Sequence, residues 1–247
     1  MLMRQARACG RMLRLIAHIL AGLGTVLLRF PRLSPDQQRA RVQAWQLELL
    51  ARAGVTLKVH GAPPVQGPVL LVANHISWLD IPVMHAARHC RFISKSDVKG
   101  WPVLGRLATA AGTLYIERSS RRDARRMVQT MQQALHAGDV LAVFPEGTTG
   151  DGVTLLPFHA NLLQAAVEAD APVQPVGLRF ADPATGAISQ AASYVGDESL
   201  VGSLWRTLCA DGLVAVVHYG APQHAAGRDR RAWSDDLRHA VDVLRQG

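Results

Sequence analysis

Residues 69–80 have the sequence Val69-Leu70-Leu71-Val72-Ala73-Asn74-His75-Ile76-Ser77-Trp78-Leu79-Asp80, an apolar run followed directly by polar side chains. Five consecutive apolar residues predict a strand that is buried on both faces. A helix is predicted to begin near Pro82, which places the polar residues in a strand-to-helix turn. Because ligands of open α/β sheets bind at the carboxyl ends of the strands, this turn is a predicted site of chemistry.

His75 and Asp80 are five residues apart in this turn. Residues five apart lie on different faces of a continuous helix, so the two side chains can meet only across a turn. If they meet, the carboxylate holds one ring nitrogen as N–H and leaves the other as a general base for a hydroxyl. The alternative is structural: Ser77 and Asp80 form a capping box, or Asp80 is a helix N-cap. The turn alone does not choose between these interpretations.

Composition indicates a globular α/β protein with an anionic partner. The chain has 247 residues, of which 49% are hydrophobic and 19% charged, and a net charge of +8. This charge suits a membrane surface, an acidic carrier protein or nucleic acid. Nucleic acid ranks last because aromatic residues are only 5% and no aromatic-interleaved basic motif occurs. Three widely separated cysteines without a C-x-x-C pair predict buried thiols in a reducing compartment, with no metal site.

The N-terminus combines a row of arginines with an apolar run. Arg4, Arg7, Arg11 and Arg14 recur at helical spacing before the run 15–28. This pattern predicts a membrane-associated helix, with the arginines facing anionic headgroups. The helix either spans the bilayer or lies in the interface. A signal peptide is disfavoured because no small-residue cleavage site follows, and a buried core helix is the remaining alternative.

The rest of the chain alternates strands with helices. Strands are predicted at 55–60, 69–73, 91–94, 113–116, 140–144, 173–180 and 214–219, and helices at 36–53, from Pro82, within 98–111, and at 121–136, 160–169 and 232–245. This alternation predicts an α/β fold with a mixed, largely parallel sheet covered by helices. The predicted organisation is a membrane-associated helical segment over 1–53 and a catalytic domain over 54–247.

Further polar residues follow other predicted strands. Glu146, Gly147 and Thr148 come after the strand 140–144; the glycine allows close backbone approach, and the glutamate can bind a hydroxyl or hold a neighbouring loop. Lys95 and Arg118 also follow strands and can bind an anionic headgroup. A glycine-rich turn and solvated surface charges are the alternatives.

Several ordered blocks between about Val69 and Leu178 resemble the lysophosphatidic acid acyltransferase family, the glycerolipid acyltransferases. The blocks are Asn74-His75 with Asp80, Phe92-Ile93-Ser94-Lys95 followed by Trp101-Pro102-Val103-Leu104-Gly105, Gly112 to Arg118, Phe144-Pro145-Glu146-Gly147-Thr148, and Ala171-Pro172-Val173-Gln174-Pro175-Val176. The first block is similar to the family's H-x-x-x-x-D signature.

The resemblance implies transfer of a fatty acyl group from acyl-CoA or acyl carrier protein to a lysolipid hydroxyl. His75 would take the hydroxyl proton and Asp80 would orient the imidazole, with no metal, cofactor or covalent intermediate. Substrate-binding roles are implied for Asn74, Ser77, Lys95, Arg118, Glu146, Gly147 and Thr148. A lipid product implies a location at the inner (cytoplasmic) membrane, with the catalytic domain in the cytoplasm.

One departure from the family pattern concerns the acceptor. Members that act on lysophosphatidic acid usually have arginine and serine after Glu-Gly-Thr, whereas this chain has Thr149 and Gly150. The full set of blocks favours 1-acyl-glycerol-3-phosphate, which gives phosphatidic acid, and the departure favours a lyso-aminolipid such as lyso-ornithine lipid. A lipid or thioester hydrolase and a non-catalytic lipid-binding protein are the rivals. No G-x-S-x-G motif supports a serine hydrolase.

Overall fold

A computed structural model of the protein describes residues 2–117 and 120–247. Its helices are α1 (Leu2–Leu28), α2 (Pro35–Ala53), α3 (Asp80–Ala87), α4 (Leu104–Ala110), α5 (Arg121–His136), α6 (Gln164–Glu168), α7 (Leu200–Cys209) and α8 (Arg230–Gln246). Its strands are β1 (Val55–His60), β2 (Val69–Ala73), β3 (Arg91–Lys95), β4 (Leu114–Ile116), β5 (Val140–Val143), β6 (Val173–Ala181) and β7 (Leu213–Tyr219). Short 3₁₀ turns occupy Phe30–Arg32, Ser96–Gly100, Ala160–Leu163 and Gln190–Ala192.

The strands form one mixed sheet in the order β1-β7-β6-β2-β5-β3-β4. Within the described ranges, every neighbouring pair runs parallel except β6 and β7. The predicted fold class is therefore confirmed. Strand β2 lies between β5 and β6, so the residues that follow β2 and β5 emerge side by side at one edge of the sheet.

Helices cover both faces of this sheet. Buried residues of α1, α2, α3 and α7 form one apolar core on the first face. Buried residues of α5, α6 and α8 form a second core on the other face. The continuous apolar character of β2 follows from this arrangement, because alternate side chains enter opposite cores: Leu71 joins the first and Leu70 the second.

The predicted strands all occur, but helix α7 was not predicted. The segment 181–213 contains apolar residues at positions 200, 201, 204 and 208, which is helical spacing. Gly202 weakens that pattern. Ser199 begins the helix, because its hydroxyl accepts a hydrogen bond from the Gly202 N–H.

Helix α1 buries one face against the protein and exposes the other. Its buried residues are Ala8, Arg11, Leu15, His18 and Gly22, alternately three and four positions apart. Leu13, Leu20 and Leu27 are exposed on the outside. By length and composition α1 suffices to cross a membrane. One side of the helix therefore packs against the rest of the chain, and the other side exposes apolar side chains.

The prediction that the arginine row faces lipid headgroups is wrong for Arg11, which is buried, and two further members, Arg4 and Arg7, contact the protein. Arg4 and Arg7 form ion pairs with Asp211, at 2.9 and 2.5 Å. The buried Arg11 guanidinium donates hydrogen bonds to the Leu208 and Ala210 carbonyls at the end of α7. A helix C-terminus presents unpaired carbonyls and a negative dipole end, which explains the attraction.

Helix α2 ends where the sequence predicted, at Ala53, because Gly54 adopts a left-handed conformation with φ of 82°. Leu49, Leu50 and Ala53 nevertheless belong to the same apolar core as the sheet. The segment 1–53 thus shares its core with residues 54–247. The division into a membrane-associated segment over 1–53 and a catalytic domain over 54–247 stays a prediction.

Candidate active site

His75 and Asp80 meet across the turn. The His75 Nδ1 atom lies 2.7 Å from the Asp80 Oδ2 atom. The same oxygen accepts the Ile76 and Ser77 N–H groups at 2.6 and 2.9 Å, and the Asp80 side chain is fully buried. Because an ionised carboxylate only accepts hydrogen bonds, this geometry assigns the ring proton to Nδ1 and leaves Nε2 as an acceptor.

The capping interpretation of Asp80 is partly correct. Asp80 accepts the Ser77 N–H, which is one half of a capping box. The Ser77 hydroxyl bonds to the Leu79 N–H and not to that of Asp80, and Asp80 is the first residue of α3 instead of its N-cap. One carboxylate thus shapes the turn and orients the histidine.

The His75 ring is held between this carboxylate and an aromatic side chain. It stacks on Phe144 with ring centroids 4.0 Å apart and an interplanar angle of 6°. Its side chain is 19% exposed and borders a large cavity. The ring therefore has a fixed orientation and limited access to solvent.

Glu146 ties the loop after β5 to the His75 turn. Its Oε1 accepts the His75 N–H at 2.6 Å, and its Oε2 accepts the Leu156 N–H at 2.9 Å. The Gly150 N–H in turn donates to the His75 carbonyl at 2.8 Å. Burial raises the pKa of the Glu146 carboxyl group, while the two N–H groups oppose that shift. Of the two predicted roles, the geometry gives Glu146 that of holding a neighbouring loop.

Asn74 and Ser77 are buried and form hydrogen bonds within the protein. The buried Asn74 amide donates to the Leu178 carbonyl and accepts the Leu178 N–H, at 3.0 and 2.7 Å, which joins the end of β2 to β6. Ser77 is fully buried. Both side chains are thus engaged inside the protein, which does not support their predicted contact with a substrate.

The remaining predicted residues lie near the surface. Lys95 and Thr148 are exposed, and Lys95 and Gly147 border the cavity. Arg118 lies outside the described residues. The hydroxyl of Thr149, the residue after Thr148, donates to the Tyr194 carbonyl. Thr149 therefore holds the loop after β5 against the segment that contains Tyr194.

The cavity beside His75 measures about 1370 Å³, above the roughly 300–1,000 Å³ of common ligand sites. One side, the sheet-edge wall, consists of the turn 74–80 and the loop 144–150. Another side, the helix wall, consists of residues of α1 and α2. Most residues that border the cavity are apolar; those of the helix wall are Met12, Leu15, Ile16, Ile19, Gly22, Thr25, Val26, Arg41, Val42, Trp45, Gln46 and Leu49. Such a cavity suits a long aliphatic chain.

Two histidines of the cavity were not predicted from the sequence. His159 lies against Gly147, and His85 lies in α3. Burial, with a contribution from neighbouring His89, lowers the pKa of His85 to about 3. Neither residue belongs to a sequence motif. His159 directly precedes a predicted helix, and this position was the only local sign that it could lie near a site. Within residues 2–117 and 120–247, no group of three or more His, Cys, Asp or Glu side chains is arranged to hold a metal ion.

Comparisons with known proteins agree with this geometry. A family model described as Acyltransferase matches residues 56–179. A lyso-ornithine lipid O-acyltransferase of Pseudomonas aeruginosa is 36% identical over 97% of this chain and 93% of its own length. A 1-acyl-sn-glycerol-3-phosphate acyltransferase of Neisseria gonorrhoeae is 38% identical over 85% of this chain and 82% of its own.

A solved structure has the same fold. The crystal structure of the 1-acyl-sn-glycerophosphate acyltransferase PlsC from Thermotoga maritima superposes with a TM-score of 0.71, covering 99% of this chain and 97% of its own, at 16% identity. The matched family, the full-length relatives and the common fold agree with the resemblance found in the sequence blocks. The chain belongs to the acyltransferase family that includes the 1-acyl-sn-glycerol-3-phosphate acyltransferases and the lyso-ornithine lipid O-acyltransferases.

Proposed function

We propose that this acyltransferase moves a fatty acyl group from acyl-CoA or acyl carrier protein to the hydroxyl of a lysolipid, with His75 as the general base. The observation that carries the proposal is the 2.7 Å contact between His75 Nδ1 and Asp80, beside a cavity of about 1370 Å³. A histidine oriented in this way removes a hydroxyl proton. A large apolar cavity holds an acyl chain.

In the proposed reaction, His75 Nε2 takes the proton as the hydroxyl oxygen attacks the thioester carbonyl. Asp80 stabilises the imidazolium that forms. Collapse of the tetrahedral intermediate breaks the carbon–sulfur bond, and the imidazolium returns the proton to the leaving thiolate. The new ester keeps the acyl group, and the enzyme returns to its starting state without a covalent intermediate.

The exposed face of α1 supports attachment to a membrane. Leu13, Leu20 and Leu27 present an apolar stripe on the side of α1 that faces away from the chain's own core. The opposite side of α1 forms part of the helix wall, so a lipid in the membrane lies next to the cavity. We place the enzyme at the inner membrane, facing the cytoplasm. The thiols of Cys9, Cys90 and Cys209 are free, which suits that reducing compartment. The prediction that all three are buried is correct only for Cys90, because Cys9 is exposed and Cys209 is half-buried.

Two acceptors follow from the relatives' names: 1-acyl-sn-glycerol-3-phosphate and lyso-ornithine lipid. The test offers both lipids to the purified protein, each with acyl-CoA and with acyl carrier protein, and identifies the products by mass. We expect a diacylated lipid from at least one acceptor and none from His75→Ala. Release of free fatty acid without a diacylated product would show a hydrolase and contradict the proposal.

A further inference from the structure

The first two turns of α5 carry a group of exposed arginines, which we call the α5 basic surface. Its members are Arg122, Arg125 and Arg126, and their spacing of three and four residues puts them on one side of the helix. Among the described side chains, no hydrogen-bond or ion-pair partner engages these three guanidinium groups. Asp123, the acidic residue within α5, is buried and accepts a hydrogen bond from the Ser120 hydroxyl at 2.7 Å. The charge of this surface is therefore directed to solvent.

The α5 basic surface lies next to the cavity. Helix α5 follows β4, which runs parallel to β3, so its first turns lie at the carboxyl edge of the sheet, as His75 does after β2. Ser120, Ala124 and Met127, on the opposite side of the same turns, border the cavity. The exposed Glu117, just before the helix, borders it too. A partner on the basic surface is thus separated from the cavity by roughly the 10–12 Å diameter of one helix.

The surroundings of this surface favour an acidic soluble protein over the membrane as its partner. A helix that lies in a lipid interface combines its cations with exposed leucine, phenylalanine or tryptophan. Within the described part of α5, no large apolar side chain is exposed. The apolar stripe of α1 has that lipid-seeking character, but α1 packs into the core on the first face of the sheet and α5 into the core on the other face. The α5 basic surface therefore belongs to a different side of the protein from the proposed membrane contact.

We infer that the α5 basic surface docks an acidic carrier protein that delivers the acyl group on its thioester arm. The inference rests on the proposed function, in which the donor is acyl-CoA or acyl carrier protein, and adds the place where a carrier protein binds. Exposed charges of opposite sign speed the association of two proteins and fix their orientation. Arginines suit this task because each guanidinium can bind a carboxylate through two hydrogen bonds. A carrier held on this side of α5 has its thioester arm next to the cavity, whereas acyl-CoA reaches the cavity without a carrier protein.

The test removes the three charges together, by Arg122→Gln, Arg125→Gln and Arg126→Gln in one protein, and compares two donors that carry the same acyl chain. Glutamine is nearly as good a helix former as arginine, so α5 should persist. With acyl carrier protein, kcat/KM should fall about tenfold through a higher donor KM, the size expected for three exposed ion pairs. With acyl-CoA, kcat/KM should change by less than about twofold, as for exposed residues that touch no ligand. Added NaCl should raise the carrier KM of the parent more than that of the variant, because salt screens exposed charges.

A matched control removes three positive charges elsewhere, by Lys58→Gln, Arg230→Gln and Arg231→Gln in one protein. All three residues are exposed, and none borders the cavity. Lys58 lies in β1, which is at the opposite end of the sheet from β4. This variant has the same net charge as the α5 variant and should keep the parent's ratio of kcat/KM for the two donors. Circular dichroism and turnover of acyl-CoA show that each variant is folded.

The outcomes distinguish the inference from the proposed function. An equal donor ratio in the two triple variants would overturn the inference, and so would a parent that uses acyl-CoA alone. An equal loss with both donors, or loss of binding to anionic lipid vesicles in the α5 variant, would overturn it by assigning the surface to CoA phosphates or to the membrane. In each of these cases acyl transfer by His75 would stand. A folded parent that acylates neither acceptor from either donor would contradict the proposed function itself, and the inference with it.

Discussion

The two walls of the cavity are built in opposite ways. In the sheet-edge wall, the N–H, the carbonyl and the ring Nδ1 of His75 each have a hydrogen-bond partner. The helix wall is mostly apolar, and it joins the rest of the chain through packing and a few polar contacts. Arg11 illustrates those contacts: its guanidinium donates to the Leu208 and Ala210 carbonyls at the end of α7.

This difference assigns different tasks to the two walls. Hydrogen bonds fix a side chain to within the small tolerance that proton transfer requires. Apolar packing tolerates changes in ligand shape, as a flexible acyl chain demands. Substitutions in the sheet-edge wall should therefore change the reaction rate, and substitutions in the helix wall should change stability or membrane attachment. The following predictions test this separation.

The largest expected effect is that of His75→Ala on the rate. Loss of a general base costs on the order of 10²–10⁴-fold in kcat/KM. The free energy of unfolding should change little, because the side chain is at the border of the cavity and the backbone bonds to Glu146 and Gly150 remain. Steady-state kinetics and urea unfolding measure the two quantities.

Asp80→Asn is the companion variant for the same wall. It keeps the size of the side chain but removes the charge that orients His75, so a severe rate loss is expected as well. A rate within a few-fold of the parent would show that Asp80 serves only the turn, through Ile76 and Ser77.

The second prediction concerns the outer face of the helix wall. Replacing Leu13, Leu20 and Leu27 together by serine should weaken binding to anionic lipid vesicles on the order of 10²-fold, at about 1 kcal/mol for each partly exposed leucine. None of the three borders the cavity, so turnover of a detergent-dispersed acceptor should persist. Vesicle sedimentation measures binding.

A matched control replaces three exposed apolar residues elsewhere, Val65, Ile188 and Val243, by serine. These changes should leave vesicle binding intact. Undiminished sedimentation of the α1 variant would locate the membrane surface elsewhere on the protein.

The contrast between the walls also explains what the sequence could predict. Strands β1 and β2 have the predicted bounds, and His75 and Asp80 were paired correctly, because these features depend on patterns within a few residues. The partners of Arg11 are 197 and 199 residues away, and no local pattern contains them. The arginine row led to a prediction of lipid contact, but in the structure Arg11 binds carbonyls at the end of α7.

The helix wall itself could not be predicted for the same reason. An apolar run predicts that α1 is shielded from water, but it does not distinguish burial in lipid from burial against protein. In the structure Leu15 packs into the core on the inner face, whereas Leu13 is exposed on the outer one. The position of His159 likewise depends on the fold of the loop around Gly147.

The third prediction tests how the helix wall is held. Arg11→Met should lower the free energy of unfolding by about 2–4 kcal/mol, because two carbonyls at the end of α7 lose a charged donor. Urea unfolding measures the change. Arg14→Met is the control, since exposed Arg14 bonds only to Gly10 within its own helix among the described residues, and should change stability by less than ~0.5 kcal/mol. Equal losses in both variants would show that Arg11 contributes no more than a surface arginine.

The smallest expected effect concerns pH and His85, a buried residue of α3 that borders the cavity. Its Nδ1 atom is buried without a partner among the described residues, and its pKa is lowered from 6.5 to about 3 by burial. Below pH 6.5 the unfolded chain binds a proton that the folded chain does not. Stability must therefore fall as the pH falls, with a limiting slope of about 1.4 kcal/mol per pH unit.

His85→Phe should remove this proton from the pH dependence of stability. Phenylalanine keeps an aromatic ring against Phe92, which His85 contacts edge-on at 5.1 Å. Between pH 6.5 and 5 the free energy of unfolding should fall less in the variant than in the parent. The difference in slope should be at most that of one proton, about 1.4 kcal/mol per pH unit. His89, whose pKa is lowered to about 4, contributes its own slope to both proteins. Urea unfolding at pH 7, 6 and 5 measures the slopes, and exposed His136→Gln should leave them unchanged. Identical slopes in His85→Phe and the parent would show that His85 accepts a proton in the folded protein, and that water reaches this border of the cavity despite the burial of the side chain.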